Sequence, residues 1–148
     1  MLEHIEHENN LLAIIVRGDF AADGVHFFTP NDFSQQLAYM RHPRGKLIEP
    51  HMHNVVPRNI TYTQEVLVIK RGSVRVDFYD HNKLYLQSRI LHTGDIILLA
   101  AGGHGFEVLE DLEMIEIKQG PYTGDGDKTR FAPSHGNVLV YHDDRNHA

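Results

Sequence analysis

The chain has 148 residues, 41% of them hydrophobic and none of them cysteine. That length suits a single domain with a core of its own, and the absence of cysteine excludes disulfides, thiolate zinc sites and cysteine nucleophiles. A net charge of −6 argues against nucleic acid or an anionic membrane as a partner. No apolar run is long enough to span a bilayer, and the opening MLEHIEHENN lacks the basic and apolar stretches of a secretory signal, so the expectation is a soluble cytoplasmic protein.

In chain order, the pattern predicts a strand over residues 11–17, rich in β-branched side chains and stopped at Gly18-Asp19. A second short run covers 24–29 and ends at Pro30-Asn31-Asp32. Residues 32–40 fit a strand or a short helical turn equally well. Residues 46–53 are expected to be extended, and 61–70 to form a strand ending at Arg71-Gly72. Over 73–79, Val74, Val76 and Phe78 alternate with Arg75, Asp77 and Tyr79, the pattern of a half-buried strand. A turn at 80–83 leads to its hairpin partner over 83–91. After a second turn at 92–95 come a buried strand at 96–99, a glycine turn, and strands at 104–109 and 112–118. Short strands at such spacing predict an antiparallel sandwich or barrel. Residues 1–119 are read as this β-barrel. Residues 120–148, rich in glycine and proline and with one further strand at 137–142, are read as an appendage packing on it or on a partner subunit.

Twelve histidines are unusual for this length, and their placement decides what they do. On an extended strand His51 and His53 would point to one face, with Glu49 sharing it. Glu65 has the parity of Leu67 and Ile69, so its carboxylate should face inward, where it needs a compensating charge. His104 follows a glycine turn, with Phe106 and Val108 on its face. Three imidazoles and a carboxylate suit one divalent transition metal per chain: iron, manganese, nickel or zinc. The candidate metal ligands are therefore His51, His53, Glu65 and His104.

The framing of these residues resembles the cupins. The segment Gly45-KLIEP-His51-Met52-His53, followed by Glu65-VLVIKR-Gly72, is similar to the first cupin motif; Gly94-DIILL-Ala100-Ala101-Gly102-Gly103-His104 is similar to the second. The spacer from His53 to Glu65 is longer than the motif's, Ala100 stands where proline is common, and the second motif is one residue short before His104. The resemblance runs from Gly45 to Lys118. It implies an all-β, cupin-type double-stranded β-helix, a jelly-roll barrel, with the metal on those four residues and a homodimer formed through its sheets. A looser similarity, through the long loop and GPYTGDGDKTRF, is to single-domain cupins associated with cell-surface polysaccharide biosynthesis.

Arg58 and Asn54 on the mouth loop are candidates for anchoring a substrate, since a guanidinium pairs with carboxylate or phosphate. Glu49 is a candidate for orienting a ligand, and Tyr39 for a cavity wall. The functional expectation is a metal-dependent enzyme acting on a carbohydrate or small oxygenated acid, of isomerase, epimerase or dioxygenase type. The alternative is a non-catalytic module that binds a sugar or small acid and regulates a polysaccharide pathway.

Overall fold

A computed structural model describes residues 1–133 and 138–141. Among the described residues the chain is all-β, with one short 3-10 turn at Gly124–Asp127. Its strands are β1 (Leu2–His7), β2 (Asn10–Val16), β3 (Gly24–Phe27), β4 (Ala38–Arg41), β5 (Glu65–Arg71), β6 (Ser73–Tyr79), β7 (Tyr85–His92), β8 (Ile96–Leu99), β9 (Gly103–Val108), β10 (Glu113–Lys118) and β11 (Val140–Tyr141). Strands β1-β2-β8-β5-β10 make an antiparallel five-stranded sheet, β11-β7-β6-β9 a four-stranded one, and β3-β4 a separate ribbon. None of these sheets closes into a barrel. No helix among the described residues is long and apolar enough to cross a membrane.

The core follows from strand parity. Leu12, Ile15, Leu67, Ile69, Ile97 and Leu99 of the five-stranded sheet meet Val74, Val76, Phe78 and Leu91 of the four-stranded sheet. The opposite face of the larger sheet is also covered. Ile14, Val66 and Leu98 pack there with Phe28, Phe33 and Leu37, which lie around the β3-β4 ribbon. Burial on both faces explains why β2 and β8 read as continuous apolar runs and not as alternating ones.

Strands β9 and β10 each form one edge of their sheets, the other edges being β11 and β1. Register places His104, Phe106 and Val108 opposite Phe78, Val76 and Val74, so all three share the inner face of their sheet. Lys118, Glu116 and Met114 likewise stand opposite Glu65, Leu67 and Ile69. The two inner faces are thus uncovered along this side of the sandwich, with Phe106, Val108 and Met114 exposed.

Four expectations differ from the structure. The first strand begins at Leu2, before any periodicity the pattern reading used. Residues 32–40 contribute a strand only at Ala38–Arg41. The polar face of β6 is buried too: Asp77 accepts hydrogen bonds from Ser88 Oγ and Arg75 Nε, and the Tyr79 ring meets Tyr85 and Phe131. Residues 42–64 form no strand, and residues 40–63 are exposed throughout. Pro43, Pro50 and Pro57 each lack the N–H a paired strand needs, which keeps this arm out of the sheet interiors. Of the expected strand at 137–142, Val140–Tyr141 form a strand parallel to β7 and residues 138–139 do not; residues 137 and 142 lie outside the described residues.

Candidate functional site

The turn that ends β5 and the turn that opens β9 both depend on glycine. Gly72 has φ +82°, and a Cβ there would sit 2.1 Å from the Asp111 carbonyl oxygen. Gly102 has φ +71°, with the Tyr79 carbonyl oxygen 2.6 Å from where its Cβ would be. The second turn feeds the chain into β9 so that His104 lies on the inner face, level with the start of β5 and the end of β10.

At that end of the sandwich a cleft of about 450 Å³ is lined by Thr63, Glu65, Tyr79 and His104, and by residues from Asp127 to Pro133. His104 Nε2 lies 3.2 Å from Glu65 Oε2. Lys128 Nζ and Lys118 Nζ lie 3.7 and 4.0 Å from Glu65 Oε1, and Lys118 also pairs with Glu116 at 3.2 Å. The Glu65 side chain is only 8% exposed. The hydrogen bond from His104 is the largest influence on it and holds its carboxyl below the usual glutamate range. Burial opposes that effect, and the charges of His104, Lys128 and Lys118 add to it. The inward carboxylate therefore has its compensating charge from the protein itself.

Thr63 Oγ1 donates to Asp127 Oδ1 at 2.8 Å, and the Gln64 backbone N–H donates to Gln119 Oε1 at 2.7 Å. These bonds, with the edge-on contact of Phe131 and Tyr79 at 5.1 Å, hold residues 119–131 as one wall of the cleft. Arg130 reaches the rim, pairing with Asp125 at 3.1 Å.

Of the four candidate metal ligands, the structure brings Glu65 and His104 together. His51 and His53 are exposed on the arm, their rings edge-to-face at 5.4 Å, with His51 Nδ1 3.0 Å from the Glu49 carbonyl oxygen. Among the described residues no group of three or more histidine, aspartate, glutamate or cysteine side chains gathers at a point that could hold a metal. A divalent ion needs more converging donors than this pair supplies, and two ammonium groups already attend the carboxylate. The donors as arranged do not fit the expected ion.

Arg58, Asn54, Glu49 and Tyr39 are not among the cleft-lining residues. Arg58 donates to the Val56 carbonyl oxygen on the arm at 3.4 Å, and Asn54 and Glu49 are exposed there. Tyr39 stacks edge-on against Phe20, at 5.0 Å, on the ribbon that covers the outer face of the larger sheet. The residues that pattern reading did not select are Thr63, Asp127, Lys128, Arg130 and Phe131. No periodicity marks them, because they lie in irregular segments outside the strands. Lys118 did have a signal: it shares the parity of Glu116 and Met114. Comparison with protein-family models, with curated proteins and with solved structures finds no match.

Proposed function

We propose that the cleft is a small-molecule site at which His104 and Glu65 act as an acid–base pair on an anionic, oxygenated substrate of the sugar or small hydroxy-acid class. The observation that carries the reading is the contact between His104 Nε2 and a buried Glu65 carboxylate, 3.2 Å apart in a cleft whose lining includes Lys128 and Arg130. When His104 is neutral with Nε2–H donated to Glu65, Nδ1 is the nitrogen that accepts a proton. The chemistry this supports is isomerisation or epimerisation: a proton leaves the carbon next to a carbonyl, is held on His104, and returns to a neighbouring carbon or to the opposite face. Lys128 and Arg130 supply the charge that would hold the substrate's carboxylate or phosphate. Two facing sheets of mainly antiparallel strands joined through glycine turns at Gly72 and Gly102 support a cupin-type jelly roll as the fold, with the β9 and β10 edges marking where it lacks closure.

The test is exchange of substrate carbon-bound hydrogen in D2O, followed by NMR across sugar phosphates and hydroxy acids. Exchange with one of them, lowered about 10²–10⁴-fold in His104→Asn, is the expected result. Saturable binding without exchange would identify a binding module instead. About one transition-metal ion per chain in the purified protein, lost in a His51→Ala, His53→Ala variant, would replace the metal-free reading with the metal-dependent one.

A further inference from the structure

Residues 42–63 join no sheet and are all exposed, yet they are not a solvated linker in composition. Leu47, Ile48, Met52, Val55, Val56, Ile60 and Tyr62 are all exposed, Met52 at 92% and Val55 at 100%. The open side of the sandwich has the matching deficit. The edge strand β9 leaves one line of backbone N–H and C=O groups without a neighbouring strand, and Phe106, Val108 and Met114 lie exposed beside it on the uncovered inner faces. An apolar edge of this kind is a template for one more strand. Charge matches as well as polarity. The arm carries Arg44, Lys46 and Arg58, with Arg41 at its root, against the single acid Glu49, while β9, β10 and their connection carry Glu107, Glu110, Asp111, Glu113 and Glu116 against the single lysine Lys118.

We propose that the arm of one copy lies as an added strand along β9 of a second copy, and that the second copy's arm returns the contact. A two-fold exchange satisfies both exposed halves at once. Within a single chain the arm leaves that chain's own edge bare. Its far end is tied at the chain's own cleft by the bonds from Thr63 and Gln64. The prolines are compatible with this role, because an added strand becomes the new edge and tolerates a missing N–H on its outer side. The exchanged arm would close the mouth of the partner's cleft, where β9 begins at Gly103 and His104.

The natural absence of cysteine makes the test direct. Copies carrying Met52→Cys and copies carrying Glu107→Cys, with affinity tags of different mass, are mixed and treated with a short bis-maleimide. The mass of the untreated wild type is measured by light scattering at micromolar concentration. The expected results are a dimer and a cross-link between the two kinds of copy. A second variant, Ile48→Lys with Met52→Lys, alters only exposed positions and leaves circular dichroism unchanged. It should raise the dimer dissociation constant about tenfold or more, the scale of losing a buried apolar anchor. A monomeric wild type overturns the proposal. So does a dimer that neither cross-links nor responds to the arm variant, or an intramolecular cross-link in a chain carrying both cysteines. The result does not depend on the acid–base reading: cross-linking reports the arm, and exchange in D2O reports His104.

Discussion

Arg17 illustrates what a one-dimensional pattern hides. It closes an apolar run and stands before Gly18-Asp19, the position of a solvated strand end. In the fold its side chain is 1% exposed. Its guanidinium donates to Glu3 at 2.6 Å, to Asp95 at 2.9 Å and to the Ile90 carbonyl oxygen at 2.7 Å. Glu3 is shared with Arg89 at 2.9 Å, so the cluster ties β1 and β2 to the β7–β8 turn. Burial alone would lower the Arg17 pKa, but the bonds with Glu3 and Asp95 outweigh it and raise it. Arg17→Ala would remove the cation that Arg17 supplies to the buried Asp95 carboxylate. The expected loss is about 3–5 kcal/mol, measured by urea denaturation. Glu65 was legible because its parity with Leu67 and Ile69 is local; its partners were not, since Lys128 arrives from a turn far along the chain. A folded-state pKa below the unfolded one means that Glu65 favours the native state above the ordinary carboxylate value and loses that contribution as pH falls through its depressed one. In unfolding titrations, the stability gap between wild type and Glu65→Gln should therefore be widest near neutrality and close in acid, below about pH 4.

At the scale of elements, hairpins and turns were the readable part. The run from β5 to β10 has strands that alternate or are uniformly apolar, separated by glycine and aspartate turns; β6 to β10 form close to their expected bounds, while β5 starts at Glu65 and not at residue 61. Periodicity failed where a strand's existence depends on a neighbour. The segment around His51 and His53 has the side-chain alternation of a strand but no partner within its own chain, so parity there implied a convergence of ligands that the fold does not produce. Strand β1 is the converse. Its sequence LEHIEH buries only Ile5 deeply, and it is a strand because β2 pairs with it along its whole length. Among the turns, Gly72 is the most constrained. A side chain there meets both a left-handed backbone and the Asp111 carbonyl oxygen. Gly72→Ala is expected to cost roughly 1–3 kcal/mol from backbone conformation alone, with more from the clash, read as a lowered melting temperature.

For the molecule as a whole, the all-β class was legible and the arrangement was not, because register and layer order are set by contacts remote in sequence. The five-stranded sheet shows how remote. Its central strand β8 pairs Ile96 with Val16 on one side and with Val68 on the other. During synthesis the apolar stretch of β2 therefore emerges from the ribosome long before the strand that will cover it exists. Until β8 follows, β2 can hydrogen-bond only to β1, with a row of isoleucine, leucine and valine side chains open to any other nascent chain. Closure over such sequence distances is slow, and unpaired apolar strands aggregate while they wait. The acidic and histidine-rich β1, laid against β2 as soon as both are made, is placed to act as a gatekeeper for that interval.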